Sequence, residues 1–550
     1  MTDAPPRCPI PALLGLAVLV GIIAGLSAWV FRLLIGLVHN IAFLGQFSFI
    51  YDANLHTAPP PFGAWVILAP VIGGVIVAWL VSSFAPEAKG HGVPEVMDAI
   101  HFREGRIRPQ VALVKSLASA ISIGSGAAVG REGPIVQIGA AFGSTLGQAV
   151  PMGASDRRIL VAAGAGAGIA ATFDTPLGGL AFAIELLLLA VSARSVLVVT
   201  VAVVVATRIG NALLGAGPAF VVPALEVAHE VLFAPGALLA FLALGALMGL
   251  LAAGFIRAIY GAEDLFDAIP GNYYTRHMLG MLCLGVILWL LLERAGHYYV
   301  QGVGYATIMD VLTGALGDPW FLLLLAALKL LATALSLGSG ASGGVFSPAL
   351  FLGATAGAAF GLLVERLVPG LGVGVPAFAL AGMAGMVAGT TGAVLTAIIM
   401  ITGMSGDTAI ALPLLLAAAA AWWTRRAVMA ESIYTMKLLA RGHAVPEGLQ
   451  APVLPMRRVA DAMTEPVGFE LHASESSGIG AVRDNQGRLL RHVTARAEES
   501  LLAAATRMHD AGAEVILVLP DGATAPDAVI GVVTQRALVG QLKAELERQG

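Results

Sequence analysis

A charged pair inside an apolar, glycine-rich stretch is the first feature of this chain that could do chemistry. Arg131 and Glu132 lie between two glycines in residues 130–134, with Ala-, Ile- and Leu-rich runs on both sides. Charged side chains at membrane depth are costly in free energy and are usually functional. The flanking glycines and the following proline predict an irregular turn that leads into a new helix. Because the first N–H groups of a helix lack intrahelical partners, such a turn attracts anions.

A second turn of the same form lies upstream. Gly90-His91-Gly92-Val93-Pro94 has two glycines and a proline, but it carries a histidine where the first turn has its charged pair. We predict another helix start here, with His91 and Gly92 near a bound anion. For His91 two interpretations stay open, an anion contact or a loop histidine near the membrane interface.

An internal repeat includes the charged turn. Residues 115–147 align without a gap on residues 329–361, at an offset of 214 residues (329 − 115). Two halves that each carry a Gly- or Pro-interrupted hydrophobic segment at matching positions indicate a binding site near the membrane midplane. The second copy has Val345 and Phe346 in place of Arg131 and Glu132. One half therefore supplies a charge, and the other supplies only backbone groups.

The elements that position these turns are predicted to be membrane helices. Of 550 residues, 57% are hydrophobic and 12% are charged, and the mean hydropathy is +0.85. Runs long enough to span a bilayer recur up to about residue 424, and the first, over residues 11–37, is interpreted as a retained helix rather than a signal peptide. We expect a multi-pass protein among the lipids of a plasma or inner membrane, with both termini cytoplasmic.

The remaining composition argues against several other classes of protein. A net charge of −4 without a basic stripe gives no reason to expect a nucleic-acid partner, and Cys8 and Cys283 imply no disulfide framework. Ser125, Ser339 and Asp174 show no pairing of a nucleophile with a base, so we predict neither an enzyme nor a cofactor or metal site.

Other polar residues in the apolar region have simpler interpretations. Glu185, within the run 180–190, either faces a water-filled cavity or lies near the cytoplasmic end of its helix. Tyr298, Tyr299 and Tyr305 are predicted to be interface aromatics rather than ligands. Arg425 and the arginine after it are predicted to mark a cytoplasmic stop.

Past residue 455 the chain becomes charged and polar. We predict a helix over 498–511, strands over 514–519 and 529–534, and a charged terminal helix. The predicted fold class is therefore an all-α polytopic membrane domain with broken helices over residues 1–450. A small α/β cytoplasmic domain over residues 455–550 follows it.

Three motifs in this order resemble those of the CLC chloride channel and transporter family. Residues 130–134 match its GREGP motif, residues 344–348 its GxFxP motif, and residues 90–94 its GSGIP motif with His91 for the serine. Tyr434 falls where the family places its pore tyrosine, and the resemblance covers about residues 10–441. The tail resembles a CBS module at residues 459–464 and 531–534, but Gln535 follows the closing threonine where a ribose-binding aspartate often stands.

The resemblance implies two halves of inverted topology and a homodimer with one pore per subunit. It also implies a chloride or similar anion held at helix ends, with the Val345 and Phe346 amides and the Tyr434 hydroxyl as ligands. Glu132 would be the gate, a carboxylate that competes with the anion and moves away when it is protonated. Helix starts suit this task because their partial charge binds an anion without holding it too tightly for release.

Two departures from the family pattern bear on function. His91 occupies the position through which the family chooses among anions, and Leu186 stands where its coupled exchangers usually carry an inner glutamate. Because leucine cannot relay a proton, we expect weak or no proton coupling. A proton-coupled anion exchanger remains the alternative, with Glu185 or His91 as a substitute relay.

Replacing His91 by serine should change the anion selectivity or its pH profile, because an imidazole offers different donors and can titrate near neutral pH. The measurement is the reversal potential for a series of anions, taken at several pH values. Identical potentials in the His91→Ser variant and the parent protein would refute a role for His91 at the anion.

Overall fold

The computed structural model describes residues 8–189, 191–220, 222, 229–443, 445, 458–473, 479–499, 501–520, 523 and 525–538. The chain divides into two compact units near residue 450. The larger unit is helical, and the smaller unit combines strands with a helix.

The described part of the larger unit contains eighteen α-helices, numbered in chain order. The first eight are α1 (Ile10–His39), α2 (Leu68–Phe84), α3 (Val93–Phe102), α4 (Gln110–Gly124), α5 (Glu132–Ala149), α6 (Ala154–Phe173), α7 (Pro176–Phe182) and α8 (Ala193–Leu214). The others are α9 (His229–Leu232), α10 (Pro235–Ala268), α11 (Tyr273–Ala295), α12 (Tyr305–Leu312), α13 (Pro319–Ser339), α14 (Phe346–Leu367), α15 (Val375–Thr391), α16 (Val394–Ser405), α17 (Ala411–Val428) and α18 (Ile433–Ala440). Among the described residues, seven helical segments are long and apolar enough to cross a bilayer. This finding confirms the predicted polytopic membrane protein.

The order of long and short helices in α1–α8 recurs in α10–α17. The predicted breaks fall between helices of each set: α4 ends at Gly124 and α5 begins at Glu132, while α13 ends at Ser339 and α14 begins at Phe346. The sequence repeat, whose copies lie 214 residues apart, is therefore a repeat of structure. A helix that ends inside the membrane leaves backbone groups without partners, and such backbone is tolerated only where protein buries it or a cavity borders it.

Glycines allow the closest helix crossings in both halves. A Cβ built on Gly139 of α5 would overlap the carbonyl of Gly164 in α6, and the converse also holds. Gly353 of α14 and Gly382 of α15 meet in the same way. Since lipid tails are as apolar as leucine, helices in membranes gain contact mainly through such small residues.

Some boundaries differ from the sequence-based expectations. Arg425 lies in the last turn of α17, which continues to Val428, and it is fully buried: its Nε donates to the Gly389 carbonyl at 2.9 Å and its Nη1 to the Ala430 carbonyl at 2.8 Å. The Gly389 carbonyl lies in the last turn of α15, and the Ala430 carbonyl follows the end of α17. A cation is favourable at the C-terminus of a helix.

The described part of the smaller unit contains two three-stranded sheets, one complete α-helix and the first positions of a second helix at residues 535–538. The first sheet is an antiparallel meander of β1 (Phe469–Ala473), β2 (Ile479–Asp484) and β3 (Leu489–Leu490). In the second, β4 (His492–Arg496) pairs parallel with β5 (Val515–Leu519), which pairs antiparallel with β6 (Gly531–Thr534), and α19 (Leu501–Asp510) connects β4 to β5.

The sequence predicted α19, β5 and β6 to within a few residues but missed β4 and the three strands of the meander. The meander strands are short, and Val482 is the one fully buried position of β2, so the hydrophobic signal is weak. The closing strand β6 also pairs through Val532 with Thr464, which joins the two ends predicted from the CBS resemblance. The predicted charged terminal helix lies outside the described residues, apart from its first positions.

Gly164→Ala should lower the thermal stability of the purified protein, because the added Cβ would overlap the Gly139 carbonyl. Overpacking of this kind costs about 1–3 kcal/mol. Gly15→Ala is the matched control, since a Cβ there meets nothing within 4 Å. A thermal melt in detergent should give a lower Tm for the first variant only. An equal Tm for both variants would contradict the close crossing.

Candidate functional site

The turns predicted from sequence meet and hydrogen-bond one another. Gly130 and Gly344, equivalent positions of the two repeats, exchange reciprocal bonds, with N to O distances of 2.7 and 2.6 Å. Gly90 donates to the Ala341 carbonyl at 3.2 Å and accepts from the Gly343 amide at 3.2 Å. Backbone groups that no helix satisfies are thus satisfied between turns, so the three helix starts lie side by side.

Hydroxyl groups repeat this reciprocal pattern. Ser119 Oγ lies 2.9 Å from Ser342 Oγ, and Thr333 Oγ1 donates to the Ala128 carbonyl at 2.8 Å. Ser119 and Thr333 are equivalent in the repeat, and so are Ala128 and Ser342. Each half therefore contacts the other through the same pair of positions, as two-fold related units do.

Two buried lysines bind carbonyl groups of the turns, and the contacts of the second lysine identify a fourth turn. Lys115 Nζ donates to the carbonyls of Ala88 at 2.9 Å and Gly90 at 2.7 Å. The repeat-related Lys329 Nζ donates to the carbonyls of Val300 at 2.9 Å and Gly302 at 2.7 Å. The ammonium groups thus compensate loop carbonyls just before short helices, α3 in one half and α12 in the other.

The fourth turn, Gly302-Val303-Gly304-Tyr305, is the counterpart of Gly90-His91-Gly92-Val93. Its glycines have φ values of 52° and 79°, against 78° and 82° for Gly90 and Gly92, a region that favours glycine. Sequence analysis missed it because the offset here is 212 residues (302 − 90), not 214. A search for a second Gly-x-Gly ahead of the repeated lysine could have found it.

Glu132 lies where this arrangement would place an anion. Glu132 is the first residue of α5, and it is 2% exposed. Its carboxylate reaches the start of α14. Oε2 accepts from the Ser347 amide at 3.3 Å, and Oε1 accepts from the Ser347 hydroxyl. A carboxylate at the N-terminus of a helix is stabilised by the free amides and the helix dipole. The negative group of one repeat therefore caps the uncharged turn of the other.

Tyr305 completes the set of donors to Glu132. Its hydroxyl donates to Glu132 Oε1 at 3.1 Å and lies 3.0 Å from Ser347 Oγ. The expectation that Tyr298, Tyr299 and Tyr305 are interface aromatics is wrong for the first and last, which are each 2% exposed. Tyr305 is the first residue of α12, so the missed turn delivers it to the site.

The other predicted site residues lie in or beside the same turns. Val345 precedes α14 and Phe346 begins it, and both are buried. Gly92 precedes α3, and a Cβ there would stand 2.9 Å from the Gly133 carbonyl. Tyr434 is buried near the start of α18.

His91 is buried rather than exposed at an interface. It is 4% exposed, its carbonyl packs against Gly133, and its ring centroid lies 6.2 Å from that of Tyr434. Its Nδ1 has no hydrogen-bond partner among the described residues. The interpretation as an interface loop histidine is therefore wrong, and the side chain retains an unused donor or acceptor.

Glu185 lies near the end of its helix, which is one of its two predicted positions. It is buried in a π-helical turn, Ala183–Leu187, that continues α7. Its carboxylate accepts from the Leu395 amide at 3.1 Å and from the Thr396 amide and hydroxyl, each at 2.7 Å. It thus caps the start of α16, while Leu186 beside it is buried and apolar.

Comparison with known proteins places this geometry in context. A family model described as voltage gated chloride channel matches residues 73–426. A putative chloride channel protein, ClcB-like, of Ralstonia nicotianae is 33% identical over 380 residues, which are 68% of this chain and 85% of the relative. An H(+)/Cl(-) exchange transporter, ClcA, of Vibrio vulnificus is 32% identical over 412 residues, which are 74% of this chain and 84% of the relative.

Solved structures share the fold. The crystal structure of a slow cyanobacterial Cl⁻/H⁺ antiporter matches with a TM-score of 0.69 and 26% identity, covering 79% of this chain and 99% of that one. A CLC-type fluoride/proton antiporter matches with a TM-score of 0.63 and 21% identity, over 77% of this chain and 97% of that one. The predicted fold of broken helices followed by a small α/β domain is confirmed.

Tyr305→Phe should increase chloride flux at neutral pH, because it removes one donor that holds the Glu132 carboxylate in place. A hydrogen bond to a charged group contributes about 1.5–3 kcal/mol, so the flux should rise about tenfold and begin at higher pH. The measurement is the initial rate of chloride efflux from proteoliposomes between pH 5 and 8.

Tyr298→Phe is the matched control for this change. The Tyr298 hydroxyl is buried and has no hydrogen-bond partner in the described part of the chain. Its removal should leave the pH profile unaltered. If Tyr305→Phe behaved like Tyr298→Phe, the hydroxyl would have no part in holding the carboxylate.

Proposed function

The chain belongs to the voltage-gated chloride channel family, and from this premise we propose that it carries chloride or a similar small anion across a membrane through a pore gated by Glu132. The contact of the Glu132 carboxylate with the start of α14 carries this proposal. A carboxylate and a small anion need the same donors, so only one of them can occupy that position at a time.

Protonation is the physical event that would free the site. A neutral carboxylic acid loses most of its attraction to the helix start, and its new O–H becomes a competing donor to Tyr305 and Ser347. The side chain would then leave, and an anion would take its place. On this proposal the Val345 and Phe346 amides and the Tyr434 hydroxyl hold the ion, with His91 and Gly92 on the side of α3.

Backbone amides and a hydroxyl suit a site that must also release its ligand. They offer partial charges in a region with little water, which stabilises an anion without a permanent counter-charge. The buried amino groups of Lys115 and Lys329 are already hydrogen-bonded to loop carbonyls. They would raise the local potential without binding the ion directly.

We further propose that protons are coupled weakly or not at all to anion movement. A proton route from Glu132 to the opposite side needs a second titratable relay. Leu186 cannot serve, and the Glu185 carboxylate accepts three hydrogen bonds from residues at the start of α16. A carboxylate that accepts three hydrogen bonds at a helix start is poorly suited to take up and release protons repeatedly.

Proton-coupled anion exchange is the second candidate function. The printed names of several relatives favour it, since they describe H(+)/Cl(-) exchange transporters. In that case His91, whose Nδ1 has no partner among the described residues, or Glu185 would take the place of the inner glutamate.

The assembly and the tail complete the proposal. We infer a homodimer in lipid with one pore per subunit and a cytoplasmic CBS-like tail. Anion transport of this kind needs no cofactor and no enzymatic step, since the helix starts and one carboxylate supply its chemistry.

Glu132→Gln should make chloride flux independent of pH, since glutamine mimics the protonated carboxyl and cannot recharge. Glu365→Gln removes an exposed carboxylate from the far end of α14 and should behave like the parent protein. The assay loads proteoliposomes with chloride and a pH dye, then imposes a chloride gradient with and without a potassium ionophore.

In the parent protein, chloride flux without proton movement would support the uncoupled proposal. Uphill proton movement driven by chloride would establish exchange instead. A Glu132→Gln variant that kept the parent pH dependence would overturn the assignment of the gate.

A further inference from the structure

A cluster of three titratable side chains connects the segment between α1 and α2 with α12. His56 Nε2 lies 2.6 Å from Asp310 Oδ2, and Asp310 is on α12. The His56 ring stacks on the ring of His297, which follows α11, with centroids 4.2 Å apart and planes 18° apart. The transport mechanism proposed above uses none of these three groups.

The groups that face this cluster are few. Tyr299 packs edge-on against both imidazoles, with its ring centroid 5.3 Å from that of His56 and 5.6 Å from that of His297. In the part of the chain that the structure describes, Asp310 is the one carboxylate that forms an ion pair with either histidine. His297 is exposed, whereas His56 and Asp310 are half-buried, so protons from water reach the cluster through His297.

α12 connects this cluster to Glu132. Asp310 lies five residues (310 − 305) after Tyr305, whose hydroxyl donates to Glu132 Oε1 at 3.1 Å. A second contact involves Tyr299, whose carbonyl accepts from Thr307 Oγ1 at 2.9 Å. The cluster therefore contacts α12 at two positions, and α12 carries the tyrosine that donates to Glu132.

The backbone at Tyr299 is strained. Its φ is 45°, in the left-handed region that bulky side chains rarely adopt. Such a conformation persists only where the surrounding structure enforces it. Here the tyrosine ring contacts the rings of His56 and His297, and a third ring, that of Phe321, has its centroid 5.4 Å away. Loss of the imidazole contacts would let this segment relax and would move its carbonyl away from Thr307.

We propose that His56, His297 and Asp310 form a proton sensor that positions α12 and thereby sets the pH at which Glu132 leaves the start of α14. This inference rests on the proposed function, since it assigns a regulator to the Glu132 gate. When acid disrupts the cluster, Tyr305 withdraws with α12, and Glu132 loses a donor. The sensor thus makes the gate open at a higher pH than protonation of Glu132 alone would allow.

The number of bound protons determines the state of the cluster. One proton gives an ion pair between His56 and Asp310, which strengthens their contact. A second proton places positive charges on both stacked rings in front of a single carboxylate, and like charges this close repel each other. Burial of part of the ring and the neighbouring His56 lower the pKa of His297, and Asp310 opposes this change. The second proton therefore binds on the acid side of neutral pH, and His297 then moves into water.

The test uses the full-length protein in planar bilayers, with the pH varied on one side at a time. In His297→Gln, which cannot bind the second proton, the chloride current should reach half its maximum about one pH unit lower than in the parent protein. This shift should appear only when the side on which α1 ends is acidified. Asp310→Asn should shift the midpoint in the same direction, since the amide oxygen still accepts from His56 while the charge that attracts protons is lost.

A purely structural role of the cluster predicts the opposite direction. A loosened α12 would weaken the hold of Tyr305 on Glu132 and move the midpoint to higher pH, as expected for Tyr305→Phe. His472→Gln is the matched control, because this histidine of β1 in the smaller unit is exposed, and the midpoint should not change. A midpoint that rose or stayed constant in His297→Gln, or that fell equally in His472→Gln, would overturn the proposal.

Hydrogen–deuterium exchange at C2 of the histidine rings, read by mass spectrometry, separates this proposal from the function it rests on. It measures the pKa of each histidine without any anion current. A His297 pKa that falls in Asp310→Asn and rises in His56→Gln would support the sensor even if no chloride flux were found. A His297 pKa that stayed the same in both variants would overturn the sensor and leave the proposed function intact.

Discussion

The structure depends on how backbone groups are satisfied where helices end inside the apolar unit. A membrane offers no water to the free amides and carbonyls at a broken helix, and each one left alone costs several kcal/mol. Here the turns at the two helix breaks of the repeat satisfy each other's backbone groups, through the reciprocal hydrogen bonds of Gly130 and Gly344. Only residues without side chains allow two turns to approach so closely.

Buried lysines extend this solution to the neighbouring turns. Lys115 and Lys329 each bind two carbonyls that no helix uses, and each thereby positions the start of a short helix. The centre is left with more hydrogen-bond donors than acceptors. The loop carbonyls accept hydrogen bonds from ammonium groups and glycine amides, whereas the helix starts still present free N–H groups. A surplus of donors in a region of low dielectric favours an anion, in agreement with the proposed function.

The two halves share a backbone but differ in their chemistry. Equivalent turns carry Arg131 and Glu132 in one repeat and Val345 and Phe346 in the other. A symmetric pair of carboxylates would repel each other and leave no uncharged helix start for an ion. On the proposed function, one carboxylate lets the same position alternate between a protein group and a mobile anion, and Tyr305 would bias that choice through a single hydrogen bond.

The sequence by itself determined the membrane class, the repeat, the helix starts and the presence of a carboxylate at membrane depth, because these follow from hydropathy, glycine and proline positions and a constant offset. It could not determine which groups meet. Glu185 was expected in a cavity or at a helix end; it lies near a helix end, and its carboxylate caps α16, some 210 residues away in sequence, which no local pattern indicated. Tyr305 was expected at an interface and instead contacts Glu132, because a turn with an altered offset brings it there. Hydrogen bonds between distant segments depend on how the two halves pack, and local patterns carry no record of that packing, so only the tertiary structure decided them.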